Sequence, residues 1–141
     1  MKAWLASLAF LALACGLLLK SSAREAGVFD KLNEADRQAF QDRFAKEVWP
    51  LLQAGGKDGC VGCHTPKVGN TLRFSGKSEP DFRMLLKEGF FLPADSGSML
   101  HRVESKNKKE RMPPGERPAW SDKDQQTLRA FVADLDKKQG K

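Results

Sequence analysis

Two cysteines with two residues between them, and a histidine directly after the second, constrain this chain more than any other feature: Cys60-Val61-Gly62-Cys63-His64. The sequence holds one further cysteine, Cys15. A single close pair is not the disulfide framework that staples small secreted domains. A redox-active C-x-x-C belongs in a β-α-β setting, and the chain shows no sustained apolar/polar alternation that would make strands. A zinc site needs about four ligands, and outside the motif only His101 and carboxylates remain to complete one. Both are weaker readings than a third, which gives each residue of the motif a task. Two thiols at this spacing can add across the two vinyl groups of one porphyrin edge, and the histidine then carries its imidazole to the iron. The motif therefore predicts one covalently attached haem c, held by Cys60 and Cys63, with His64 bound to the metal. Gly62 is expected to let the backbone pass close to the ring.

The start of the chain points to export. Lys2 is followed by an apolar run from Ala3 to Leu19, broken by Ser7 and Gly16, then by Lys20 and Ser21-Ser22-Ala23. A basic start, an apolar stretch and small residues at its end describe a signal peptide over residues 1–23, leaving 24–141 as the domain. Two alternatives stand beside cleavage. The apolar run reaches the lower edge of the roughly 17–25 residues needed to span a bilayer, so it could serve as a retained anchor. Cys15 offers a lipidation site, although Ala12 and Leu13 suit that processing poorly. All three predict a periplasmic or otherwise exported domain, with membrane contact only if the first segment stays. Loss of Lys2 and Lys20 lowers 24 basic residues to 22 against 18 acidic ones, a net of about +4. That excess is too modest for a nucleic-acid partner. It gathers at Lys106, Lys108, Lys109 and Arg111 and in the tail at Lys137, Lys138 and Lys141. Redox partner proteins with an acidic docking face would suit it.

Apolar periodicity places four helices. Asn33 with Asp36 starts one that carries Phe40, Phe44 and Val48 on a single stripe, and Pro50 is expected to end or kink it by pushing Trp49 out of helical geometry. A second begins after Ser78, with Asp81 completing a weak capping box, Pro80 in the first turn and Gly89 as the stop. A short third covers Gly97 to Glu104, with Met99, Leu100 and Val103 inward. The last opens at the Ser121 cap and buries Leu128, Phe131, Val132 and Leu135, with a disordered tail from about 137. The expected fold is all-α: N- and C-terminal helices packed around one haem. Phe40, Phe44, Leu85, Leu86, Leu128, Phe131 and Val132 form its core. Loops 64–77 and 105–120 are long for a small domain, as loops that wrap a bound group are.

Four residues compete for the second axial position on the iron: Met84, Met99, His101 and Met112. Met84 and Met99 fall within helical patterns and read as packing. Met112 lies off any helical stripe in Arg111-Met112-Pro113-Pro114-Gly115. Its prolines stiffen the segment, so a thioether held there has little freedom to lose. His101 is the serious competitor, since imidazole also binds haem iron well.

These residues together resemble class I-like cytochrome c domains, of the variety found in planctomycete cytochrome proteins. The likeness runs from about Phe44 to Leu135. It includes Val48-Trp49-Pro50-Leu51-Leu52, Cys63-His64-Thr65-Pro66-Lys67, Thr71-Leu72-Arg73-Phe74, Asp95-Ser96-Gly97-Ser98-Met99-Leu100 and Arg111-Met112-Pro113-Pro114-Gly115, then the helix opening at Trp120-Ser121. The resemblance implies Met112 as the distal ligand. It departs at Gly69-Asn70-Thr71, where a glycine pair is usual, and in lacking the large domains often fused to such modules. The implied role is a monohaem one-electron carrier rather than an enzyme. The alternatives are a haem enzyme or gas sensor with a displaceable sixth ligand, and a haem subunit of a membrane complex. Arg111 or Arg73 is a candidate partner for a haem propionate.

Overall fold

The computed structural model describes residues 28–67, 72–95 and 97–139. The signal segment expected at 1–23, Cys15, the Gly69-Asn70-Thr71 departure and Lys141 lie outside the described residues. Every regular element among those described is helical, so the chain is all-α there. In order they are α1 (Val28–Lys31), α2 (Glu34–Arg43), a π-helical turn (Phe44–Val48), α3 (Trp49–Gln53), a 3-10 turn (Gly56–Asp58), α4 (Cys60–Cys63), α5 (Ser78–Lys87), α6 (Met99–Glu104) and α7 (Asp122–Gln139). No described helix is long and apolar enough to cross a membrane.

Helix α2 starts as its sequence dictates. The Asn33 side chain accepts the Asp36 N–H at 2.8 Å and donates to the Asp36 carboxylate at 2.8 Å, satisfying groups the first turn would leave open. Its other end departs from expectation. Trp49 keeps helical angles, φ −56° and ψ −43°, and its N–H reaches back five residues to the Phe44 carbonyl. Proline has no N–H, and its ring crowds the carbonyl four residues back. The ladder meets this by widening into the π-helical turn before Pro50, and the chain stays helical through Gln53. Val48, Trp49 and Leu52 are all buried as a result.

Asp81 also differs from its expected part. Rather than closing a capping box, its carboxylate folds back onto the loop before α5, accepting the N–H groups of Ser75 at 2.7 Å and Gly76 at 3.0 Å. Asp81 is 1% exposed, and a buried polar group is tolerated only with such partners. Asp81→Ala leaves two backbone donors without their acceptor and should lower stability by about 2 kcal/mol in urea unfolding. At the far end of α5, Gly89 takes φ 77°, and Phe90 donates to the Leu85 carbonyl at 2.9 Å, so the helix stops where the sequence places the stop.

The core forms where α2 and its π-helical turn meet α5 and α7. Phe44 is fully buried, with ring centroids of Phe82 at 5.4 Å, Trp49 at 6.0 Å, Phe91 at 6.1 Å and Phe131 at 6.2 Å. The other expected core residues, Phe40, Leu85, Leu86, Leu128, Phe131 and Val132, are buried as well. Arg43 braces α2 against α7, donating to Asp134 at 2.8 Å with its guanidinium 5.6 Å from the Phe131 ring centroid. Ser121 caps α7 by accepting the Asp124 N–H at 3.2 Å. The helix then runs to Gln139, so residues 137–139, expected as a disordered tail, are helical. Lys138 reaches Asp36 at 2.9 Å and ties that last turn to α2.

Candidate functional site

The cysteine motif sits on a turn whose shape is set by glycines. Gly55 and Gly56 take φ 86° and 58°, left-handed values that favour glycine, and they open the 3-10 turn. The chain then doubles back so closely that a Cβ at Gly59 would stand 2.0 Å from the Ala54 oxygen. One at Gly62 would stand 2.3 Å from the Gly56 oxygen and 2.6 Å from the Lys57 Cα. Gly62 thus presses on the protein's own backbone, which is a different neighbour from the porphyrin the sequence suggested. The two glycines lock α4 against the 3-10 turn.

Within α4, Cys60 and Cys63 lie three positions apart, on one face of a single helical turn. Both are free thiols and both are half-buried. Cys63 Sγ stands 3.5 Å from the Lys57 carbonyl oxygen. Burial pushes the Cys60 thiol up to about 11. At neutral pH that favours the thiol over the thiolate.

His64 closes the turn. Its N–H donates to the Cys60 carbonyl at 2.8 Å, and its own carbonyl accepts the Phe74 N–H at 2.7 Å. The imidazole Nδ1 is 3.3 Å from the Leu72 carbonyl oxygen. A carbonyl can only accept, so the ring proton belongs on Nδ1 and Nε2 keeps its lone pair. A carbonyl acceptor at one ring nitrogen fixes the tautomer and the orientation of an imidazole and leaves the other nitrogen able to bind a metal. Phe74, 2% exposed, holds the ring edge-on with centroids 6.3 Å apart.

Beside this turn lies a cleft of about 410 Å³, within the range of small-molecule and cofactor sites. Leu51, Ala54, Cys60, Pro113, Pro118 and Trp120 line it, with Asp58, Arg117 and Asp124 as its charged members. Cys63, His64 and Met112 are not in its lining. The structure thus brings Cys60, Cys63 and His64 together in one turn, and Met112 reaches the cleft only through its neighbour Pro113. Searches among protein families, curated proteins and solved structures return no match. The residues themselves carry the chemistry. Two thiols stand on one face of a helical turn, an imidazole follows them with Nδ1 towards a carbonyl, and a largely apolar cleft lies against the first thiol. No group of three or more His, Cys, Asp or Glu side chains gathers for a metal among the described residues.

The other axial candidates separate by position. Met99 is buried and Met84 packs against the core, as their helical spacing suggests. His101 turns its Nε2 towards Glu110, 3.7 Å away at the surface. Met112 is half-buried, and its N–H is held by the Arg102 carbonyl at 2.8 Å. Sequence reasoning overlooked Trp120 as part of the site. An aromatic residue just outside a helix cap, in an otherwise polar loop, was the available signal. The Leu72 carbonyl offered none, because a backbone acceptor has no signature in sequence.

Proposed function

We propose that this chain is an exported monohaem c-type cytochrome that passes single electrons between redox partners. The observation that carries the reading is the His64 Nδ1 contact with the Leu72 carbonyl, directly after a turn presenting two free thiols. Cys60 and Cys63 would hold the haem through thioether bonds, and His64 and Met112 would bind its iron. Once bound, the haem supplies an iron that cycles between ferric and ferrous. The protein's share is to hold and shield it. Leu51, Pro113, Pro118 and Trp120 line the cleft and limit water there, which raises the potential of a metal centre relative to a wet one. Thioether ligation by Met112 acts in the same direction. Export, suggested by residues 1–23, would meet the free thiols with the compartment in which such haem attachment takes place.

The test is an optical spectrum of the matured protein, ferric and ferrous, beside Met112→Ala and the double variant Cys60→Ser/Cys63→Ser. Haem that stays with the chain under denaturing conditions is expected for the parent protein and absent from the double serine variant. A weak ferric band at the red end should vanish in Met112→Ala. A high-spin parent spectrum, or one indifferent to that substitution, would move the assignment to His101 or to an open iron, and the function to a haem enzyme or sensor.

A further inference from the structure

We propose that Arg111 is a positioning residue: its guanidinium closes the loop that carries Met112 and keeps that thioether from being displaced. The inference rests on the axial role proposed for Met112 and goes beyond it.

Met112 stands at the head of a segment that can make few backbone bonds, because Pro113 and Pro114 have no N–H to donate. One anchor lies on the amino-terminal side, the Met112 N–H on the Arg102 carbonyl at 2.8 Å. On the carboxyl-terminal side the anchor is a side chain. Arg111 Nη2 donates to the Gly115 carbonyl at 2.8 Å and to the Arg117 carbonyl at 3.2 Å. The guanidinium lies inside the loop, with its Nε buried and without a hydrogen-bond partner. Arg111 is itself held through its N–H on the Asn107 carbonyl at 2.8 Å. Gly115 takes φ 70°, which turns the chain so that both carbonyls face the same cation.

The remaining ties of this segment are weak. Lys108–Glu116 is a surface pair with both side chains mostly exposed, and Arg117–Asp58 stands at 3.8 Å. Exposed pairs of this kind contribute little. A charged donor shared by two carbonyls is worth more, so closure of the loop falls to Arg111.

The experiment uses haem-loaded protein and three variants: Arg111→Ala, Arg111→Lys and Met112→Ala. Imidazole is titrated into the ferric form, and hydrogen exchange is followed at the amides of 112–117 and of α7. Arg111→Ala should bind imidazole about tenfold more tightly, because the competing internal ligand is less well held. Lysine keeps the charge and has donors enough for both carbonyls, but it lacks the planar guanidinium that fixes the donor inside the loop, so Arg111→Lys should fall between. Exchange should quicken at Met112, Gly115 and Arg117 and stay unchanged in α7. A merely structural role would move both regions together. Parent-like imidazole affinity in both Arg111 variants, with the Met112→Ala spectrum altered, overturns the role of Arg111 and leaves the proposed function standing. A Met112→Ala spectrum identical to the parent's overturns both.

Discussion

Gly62→Ala should cost about 3 kcal/mol and sharply reduce covalent haem, although it adds only one methyl group. The added carbon would meet the Gly56 oxygen at 2.3 Å, the Lys57 Cα at 2.6 Å and the Lys57 carbonyl carbon at 2.7 Å. All three are backbone atoms, so no side chain can swing away to make room. Relief requires separating α4 from the 3-10 turn, which moves Cys60, Cys63 and His64 as a unit. The neighbouring Val61→Ala is the control, since Val61 is only partly buried against the core and its shortening creates no clash. Urea unfolding and the mass of the matured chain give the two readings. Equal midpoints for Gly62→Ala and Val61→Ala would show that the turn can open without loss, and would remove the rigidity argument for the site.

The contrast between that glycine and the helices shows where sequence reasoning has purchase. Periodic burial is legible because it repeats: Leu128, Phe131, Val132 and Leu135 lie on one stripe of α7, and Phe40, Phe44 and Val48 on one stripe running from α2 into the π-helical turn. Burial without a period is not. Leu32, Phe74, Phe91 and Leu92 all reach the core from irregular segments or helix ends, and nothing in their spacing sets them apart from surface residues. The local rule for Pro50 predicts an end or a kink, yet the ladder upstream has room to widen, and packing of Val48 and Trp49 favours continuing the helix. The position of Asp81 in α5 suggests a cap, while the two donors it serves lie earlier in the chain. The site divides the same way. Its chemistry, two thiols and an imidazole, is written in five consecutive residues, whereas the Leu72 carbonyl and Trp120 become partners only through the fold.

Phe44→Ala is expected to have the largest effect on stability, about 4 kcal/mol, and to be felt at His64 as well. Phe44 is fully buried and stands between α5, α7 and the segment around Phe91. Truncation leaves a cavity walled by four aromatic rings, which are too large and too closely held to collapse into it. The rings also form a packed series towards the site: Phe44 to Trp49 at 6.0 Å, Trp49 to Phe74 at 6.4 Å and Phe74 to His64 at 6.3 Å. Phe74 holds the imidazole edge-on and its N–H holds the His64 carbonyl, so slack at Trp49 reaches the group proposed to bind iron. Phe44→Leu keeps much of the volume and should cost well under half as much. Phe90→Ala removes a partly exposed ring of the same size and should cost about 1 kcal/mol. Calorimetry or urea unfolding ranks the three. The ring order of His64 can be followed separately, by the nuclear magnetic resonance line of its imidazole protons. A Phe44→Ala protein as stable as Phe90→Ala would mean that the aromatic centre is not where this fold is held together. A sharp, unshifted His64 line in a destabilised Phe44→Ala protein would confine the damage to the core and detach it from the site.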